Sequence, residues 1–193
     1  MPRDLPVYES FPQAYVWLRP PEELARALAA HRDRWWWPRG CHLPQPHRLH
    51  LTLQALGPLD DEALAEVARA LSSLGAQAFD LELAWSGVWS GNEVAVARPR
   101  ADTGLANLHA GLCRCLRGQR VARSWSPHVT LAWKVPRAGA APLEPLRWPV
   151  REFLLVRSWM RPWEPAQHEV LQRYALAPPT DTSCHPGRPT SVA

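Results

Sequence analysis

Lysine is almost absent from this sequence of 193 residues: Lys134 is the single lysine, so arginine supplies all but one of the 22 basic residues of the two types. No run of about 18 apolar residues occurs, which argues against a membrane-spanning helix. The amino terminus also lacks the apolar segment of a secretory signal. We therefore expect a soluble, cytoplasmic protein that has no membrane partner.

Cysteine is sparse, and the four residues are Cys41, Cys113, Cys115 and Cys184. None forms a Cys-x-x-Cys pair of the kind that binds structural zinc, and nothing indicates secretion, so neither a metal site nor a disulfide framework is expected. A chain of this length buries about 70% of its unfolded surface without such support. Composition predicts one domain over residues 1–177 and a disordered tail over 178–193, where Pro, Thr, Ser and Gly dominate.

Charge and aromatic content point weakly toward a polyanionic partner. The formal net charge is +4 and the isoelectric point is about 9.2, an excess that a solvated basic surface would equally explain. Eleven tryptophans are present, and three of them stand in a row from Trp35 to Trp37. Such aromatics can stack on unpaired bases, but we favour packing in the core or at its rim.

One tetrapeptide occurs twice. The run HLTL beginning at His50 returns, with one conservative change, as HVTL beginning at His128, 78 positions later. In an extended strand, residues two apart point to the same face about 6 to 7 Å from each other. Each motif therefore presents an imidazole beside a hydroxyl, from Thr52 and from Thr130. A single His-x-Thr is a weak signal, but the repeat predicts two related lobes that face each other and hold a phosphate between them.

The residues around both motifs alternate with the period of a strand. Arg48, His50, Thr52 and Gln54 form a polar series between apolar neighbours, which predicts a cleft face carrying all four side chains and a core face carrying the leucines. The second motif follows Pro127, and a proline is tolerated where a strand begins. Both motifs are therefore predicted to lie on half-buried strands.

The remaining pattern predicts an α+β protein in which antiparallel sheets form two pseudo-symmetric lobes around a central cleft, with helices on the outside. Residues 137–149, rich in proline and alanine, are predicted to be a connector. Helices are predicted over 21–34, 60–74 and 102–116, and the further strands over 14–18, 79–84, 93–97, 150–159 and 170–176.

A metal site is the least favoured interpretation. His42, His47 and His50 are close in sequence, but their spacing fits no familiar zinc pattern, and Pro44 and Pro46 indicate an irregular loop between them.

With the motifs placed, the chain resembles the two-histidine phosphoesterases, and within them the bacterial RNA 2′,3′-cyclic phosphodiesterases, also called 2′-5′ RNA ligases. The likeness covers most of the sequence from Ala14 to Leu176. It rests on the segments AYVWLRPPEELARAL, LHLTLQALGPL, WSPHVTLAW and WPVREFLLVRSW.

The resemblance implies a hydrolase that opens RNA 2′,3′-cyclic phosphate ends to 2′-phosphates without a metal or other cofactor, with 2′-5′ RNA ligation as the reverse reaction. His50 would be the acid for the leaving 3′-oxygen and His128 the base for water. Thr52 and Thr130 would bind the non-bridging oxygens of the substrate. The expected partner is RNA with a cyclic end, and the expected state is a monomer.

One departure from the family pattern leaves the substrate open. Relatives commonly carry an arginine just after the second motif, where this chain has Trp133 followed by Lys134. Lys134 and Arg48 are the candidates for a substitute phosphate contact, although lysine and arginine are not equivalent toward phosphate. The alternatives are a small cyclic nucleotide or ADP-ribose cyclic phosphate as substrate, and an RNA-binding module without turnover.

Overall fold

A computed structural model describes residues 12–89, 91–117, 125–159 and 166–178. Within them the chain forms eight strands and three α-helices, with a short 3-10 turn at Pro46–Arg48. The strands are β1 (Gln13–Leu18), β2 (Leu51–Pro58), β3 (Phe79–Trp89), β4 (Val94–Pro99), β5 (Val129–Trp133), β6 (Leu146–Val150), β7 (Glu152–Trp159) and β8 (Gln167–Ala175); the helices are α1 (Glu22–Asp33), α2 (Asp61–Ser72) and α3 (Thr103–Cys115).

All eight strands belong to one antiparallel sheet in the order β6-β3-β4-β5-β2-β1-β7-β8. The order divides into two halves of four strands, which meet where Leu51 of β2 pairs with Val129 of β5. Each half contains a strand–helix–strand unit, β1-α1-β2 or β4-α3-β5. The predicted α+β class with antiparallel strands is confirmed, and the two related halves form one continuous sheet.

Helices α2 and α3 begin where an acidic side chain caps them. Asp60 accepts a hydrogen bond from the Ala63 backbone N–H at the start of α2, and Asp102 accepts one from Leu105 at the start of α3. Such caps satisfy donors that the helix itself leaves free. Buried residues then recur at helical spacing: Leu64, Val67 and Leu71 in α2, and Leu105, Leu108 and Leu112 in α3.

The main core lies between the helices and one face of the sheet. Leu51 and Leu53 of the first motif and Val129 and Leu131 of the second are all at most 1% exposed and belong to this core. A second, small apolar cluster built on Trp17 occupies the opposite face, which we call the cleft face. The leucines of each motif therefore hold its strand in the core while the histidine and threonine are left for the cleft face.

A bulge in β2 corrects the prediction for Gln54. Thr52 pairs with Trp17 of β1, but the next residue of β1, Val16, pairs with Gln54, so β2 carries one extra residue at this point. Gln54 is 2% exposed and hydrogen-bonds His109 Nε2 and Cys113 Sγ of α3. Its predicted place on the cleft face is therefore wrong, because the bulge turns its side chain to the helices.

Strand β6 begins inside residues 137–149, which were predicted to be a connector, and ends at Val150. It pairs with β3 at the edge of the sheet and buries Trp148 to 1% exposure. Pro149 argued against a strand in the sequence, because proline cannot donate a backbone hydrogen bond. An edge strand tolerates a proline because one side of the strand has no partner.

Strand β3 runs to Trp89, five residues beyond its predicted end. The predicted tail lies, after Pro178, outside the described residues, as do Cys184 and His185, and the domain boundary stays a prediction. None of the described helices combines the length and apolar character that crossing a membrane requires.

Candidate active site

The two motifs lie side by side at the centre of the sheet. Each histidine immediately precedes its strand, and Leu51 pairs with Val129 in antiparallel register. Extending this register by one residue in each direction sets His50 opposite Thr130 and Thr52 opposite His128. Cross-strand neighbours point to the same face with Cβ atoms about 4.5–5.5 Å apart. The four predicted residues therefore come together, related by an approximate two-fold axis.

Both imidazoles are oriented by the same hydrogen bond. Nδ1 of His50 lies 2.8 Å from the carbonyl oxygen of Arg48, and Nδ1 of His128 lies 2.7 Å from that of Ser126. A carbonyl oxygen only accepts, so Nδ1 carries the proton in both rings. Nε2 is left, in each ring, as the atom that accepts a proton when neutral and donates one when charged.

His50 is enclosed by aromatic rings. It stacks on Trp17, with ring centroids 3.7 Å apart and planes at 16°, and its centroid is 6.1 Å from that of His168. Burial lowers the pKa of His50 to about 4; the hydrogen bond to Arg48 acts in the opposite direction, and charge on His168, Arg19 and His128 lowers the pKa further. The unliganded protein therefore holds His50 neutral near pH 7.

His128 has a more open position. Trp89, the last residue of β3, meets it edge-on with ring centroids 4.6 Å apart and planes at 64°. The two histidines thus share a hydrogen-bonding scheme but differ in their surroundings, since His50 lies under a stacked indole and His128 beside the edge of one.

His168 of β8 is a third histidine at this site, and the sequence patterns did not single it out. Its Nδ1 hydrogen-bonds Ser158 Oγ at 2.9 Å, and its ring meets Trp17 edge-on with centroids 4.9 Å apart. Burial lowers the pKa of His168 to about 4, and the charges of Arg48 and Arg19 lower it further. His168 therefore adds a neutral imidazole to the wall beside His50.

A cleft of about 700 Å³ opens beside His50, a volume that suits a small ligand. Its lining includes two arginines and three histidines, namely Arg19, Arg48, His47, His50 and His168. The other lining residues are Trp17, Gln45, Ala166 and Gln167. A second space of about 210 Å³ adjoins it between Trp17, His42 and Trp133. No aspartate or glutamate occurs among the described residues that line either space. The cleft is therefore suited to an anion.

The structure also places the other residues that the sequence suggested for phosphate or metal binding. Trp133 lines the smaller space. Lys134 follows it with a positive φ of 58° and lines neither space. The described residues contain no group of three or more histidine, cysteine, aspartate or glutamate side chains placed to hold a metal ion, so the set of His42, His47 and His50 is not such a group.

The row of tryptophans is mainly structural. Trp35 is 5% exposed, and Trp37 stacks on it with centroids 5.2 Å apart and donates its indole N–H to the Arg32 carbonyl. Only Trp36 projects, at 59% exposure. The favoured interpretation of packing is confirmed for Trp35 and Trp37.

Comparison with known proteins agrees with this geometry. The profile of the 2′-5′ RNA ligase superfamily matches residues 20–170, which is more than half of the chain. The chain belongs to the 2′-5′ RNA ligase superfamily. A relative from Thermus thermophilus described as an RNA 2′,3′-cyclic phosphodiesterase is 32% identical over 172 residues, covering 81% of this chain and 86% of the relative.

Solved structures show the same fold. One described as a phosphoesterase has a TM-score of 0.77 at 23% identity and covers 86% of this chain and 99% of its own. Escherichia coli LigT, crystallised with NADP⁺, has a TM-score of 0.76 at 22% identity and covers 88% of this chain and 99% of its own. The resemblance to two-histidine phosphoesterases is confirmed, and the family and the Thermus relative together support a phosphoesterase activity.

The residues that surround His50 in this superfamily member lie outside the two repeated motifs. Trp17 and Arg19 belong to the segment AYVWLRP, whose strand is apolar on both faces, so its pattern does not show which face meets the cleft. His168 lies alone in β8. Its place follows from the pairing of Ser158 with His168 across β7 and β8, which is a long-range feature.

Proposed function

We propose that this protein hydrolyses RNA 2′,3′-cyclic phosphate ends to 2′-phosphates, with His50 and His128 as an acid/base pair that needs no metal ion. The observation that carries the proposal is the two-fold arrangement of the motifs, in which both rings have Nδ1 bound to a backbone carbonyl and Nε2 left for proton transfer. The name of the Thermus relative gives the substrate class.

Opening a cyclic phosphate requires two proton transfers on opposite sides of phosphorus. A base removes a proton from the attacking water, and an acid protonates the ribose oxygen as it leaves. Two imidazoles that face one phosphate from adjacent strands meet both requirements. Each transfer typically contributes about 10²- to 10⁴-fold to the rate, so the pair would contribute about 10⁴- to 10⁸-fold.

Thr52 and Thr130 would donate hydrogen bonds to the non-bridging oxygens, where negative charge increases in the transition state. The register supports this role, since each threonine lies opposite the histidine of the other motif. Arg19 and Arg48, which line the cleft, supply fixed positive charge at its His50 end. Lys134 was also considered for a phosphate contact, but it lines neither cleft space, so we assign that contact to the two arginines.

The resemblance assigns His50 as the acid, and this role needs the substrate. With a pKa of about 4, His50 holds a proton in only about one molecule in a thousand at pH 7. A bound phosphate next to Nε2 favours the charged ring and raises its pKa. We therefore propose that His50 becomes the acid when the anionic substrate enters, while the unliganded state is prepared to accept the proton.

The test is turnover of a short RNA with a 2′,3′-cyclic end in excess EDTA, followed by phosphorus NMR of the product. We expect a 2′-phosphate, and at least a hundredfold loss of rate in both His50→Ala and His128→Ala. Thr52→Val and Thr130→Val, which keep the side-chain shape, should lose about tenfold each. A His50→Ala, His128→Ala double variant with near-normal turnover would refute the proposal, and a 3′-phosphate product would refute the assigned leaving group.

A further inference from the structure

The cleft face continues beyond His128 onto β3 and β4, where Trp85, Arg98 and Trp89 lie together; we call these three residues the β3–β4 shelf. Trp85 pairs with Arg98, and Ala97 pairs with Val129. Extending the second register by one residue sets Arg98 opposite His128. Trp89 contacts His128 with its edge and lies near Arg98. The shelf is therefore continuous with the candidate active site.

A bulge is what turns Trp85 toward this face. Leu83 pairs with Pro99, but Trp85 pairs with Arg98, so β3 carries one extra residue between them. Leu83 is fully buried in the core, whereas Trp85 is 47% exposed. The exposed indole is therefore directed away from the core that Leu83 occupies.

Gly87 allows the Trp85 ring to lie along the sheet. A Cβ atom at Gly87 would come within 2.5 Å of a carbon of that ring, closer than real contacts allow. The indole thus lies close to the backbone of Gly87 and remains 47% exposed. An exposed flat ring of this kind offers a surface on which an unpaired base can stack.

Arg98 lies between the two indoles. Its guanidinium carbon is 5.9 Å from the centre of the Trp85 ring and 5.8 Å from that of Trp89, within the range of cation–π contacts. Its Nε is buried and has no hydrogen-bond partner in the part of the chain that the structure describes. Positive charge held between aromatic rings is the combination with which proteins bind single-stranded nucleic acid without reading its sequence.

We propose that the β3–β4 shelf binds a second nucleotide of the substrate, its base stacked on Trp85 and its phosphate bound by Arg98. This rests on the proposed function, and it deepens it by naming the substrate as single-stranded RNA of at least two nucleotides. A cyclic mononucleotide would occupy the site at the two histidines and the cleft beside His50, and it would leave the shelf empty.

The experiment compares kcat/KM for a 2′,3′-cyclic mononucleotide and for a short unpaired RNA ending in the same cyclic nucleotide. We expect the unaltered protein to prefer the oligonucleotide by at least tenfold. Base stacking on an aromatic ring is typically worth about 1–3 kcal/mol, so Trp85→Ala should reduce that preference by about tenfold. Trp85→Tyr, which retains a ring, should keep most of it.

Trp36→Ala is the matched control, since Trp36 is also an exposed tryptophan but bridges to Gly139 and lies on neither β3 nor β4. It should leave the preference unchanged. The inference is overturned if Trp85→Ala keeps the full preference for the oligonucleotide, or if it lowers kcat/KM for both substrates by the same factor.

A binding measurement separates this inference from the proposed function. Fluorescence anisotropy with the same RNA ending in a 3′-phosphate, which has no cyclic bond to open, should show about tenfold weaker binding in Trp85→Ala. In Arg98→Gln the slope of log affinity against log salt should fall by about 0.7, the value for one phosphate contact on a single strand. If neither substrate is turned over, the proposed function is refuted. If the RNA affinity of Trp85→Ala and the salt dependence of Arg98→Gln are both unchanged, nucleotide binding at the shelf is refuted.

Discussion

Binding of an anion in the cleft is expected to convert His50 from a neutral ring to a proton donor. In the unliganded site the pKa of His50 is about 4, mainly because of burial. Positive charge on Arg19, and on His168 or His128 when either ring is protonated, lowers this pKa further. No acidic side chain lines the cleft among the described residues to oppose them. An anion that enters the cleft would supply the missing negative charge.

The size of the effect follows from simple electrostatics. Returning the pKa from about 4 to its ordinary value of 6.5 corresponds to roughly 3.4 kcal/mol, at about 1.4 kcal/mol per pKa unit. Two unit charges 4 Å apart interact by about 4 kcal/mol at an effective dielectric constant of 20. One phosphate charge against Nε2 is therefore sufficient to restore the proton of His50 near neutral pH.

The assay is NMR titration of the histidine ring signals with and without saturating sulfate, which keeps its charge across the range studied. The variant His128→Ala removes turnover and the ring signals of the second motif, and His168→Gln identifies the signals of the neighbouring ring. We expect the pKa of His50 to rise from about 4 to about 6.5 when sulfate binds. By linkage, sulfate affinity in His128→Ala should then increase about 20-fold between pH 7 and pH 5.

A pKa of His50 that stays near 4 in the sulfate complex, with affinity constant over this pH range, would refute the reasoning. His50 would then remain neutral during turnover and could serve only as the base, and the acid role would pass to His128. The double variant His50→Ala, His128→Ala is the control. It should retain only a weak dependence, confined to the lower pH values at which His168 takes up a proton.

Three further outcomes follow from the same structure. The pKa of His50 is lower in the folded than in the unfolded state, so its contribution to stability is present above about pH 6.5 and is lost as the pH falls toward 4. Between these pH values, the free energy of unfolding measured in urea should therefore fall by about 3 kcal/mol less in His50→Gln than in the unaltered protein. Gly87→Ala should displace the Trp85 ring, lower the free energy of unfolding by about 1–3 kcal/mol in a thermal or urea melt, and reduce the preference for oligonucleotides; equal stability would contradict the close contact. Gln54→Leu removes the hydrogen bond to His109 and should cost about 1–3 kcal/mol in urea unfolding, while a neutral effect would mean that the Gln54–His109 contact carries no net stability.

The repeated motif made the centre of the fold and of the site predictable. A period-two pattern with leucines on one side is a local property, and its duplication implied two related halves before any distance was known. The helix starts at Asp60 and Asp102 were equally local, since a capping side chain acts within one turn. His50, Thr52, His128 and Thr130 could therefore be placed together from the sequence.

Long-range pairing made the rest unpredictable. Strand β6 contains Pro149, which argues against a strand in the sequence. It is stabilised by its pairing with β3 and by the burial of Trp148, and neither can be inferred from the residues of β6 alone. His168 reaches the cleft because β8 pairs with β7, which pairs with β1. A single histidine in a strand does not indicate which other strands its own strand will pair with.

A bulge explains why the predicted alternation failed at Gln54, and a second bulge sets the direction of Trp85. A period-two pattern assumes an unbroken strand, and one extra residue exchanges the two faces for everything that follows it. In β2 the exchange buries Gln54 against α3, and in β3 it brings Trp85 out to the cleft face beside Arg98. The symmetric repeat thus supplies the two histidines, whereas their unlike surroundings come from residues outside the repeat: Trp17 and His168 beside His50, and Trp89 beside His128. The stacked wall around His50 and the open shelf beyond His128 would give two equivalent motifs different tasks.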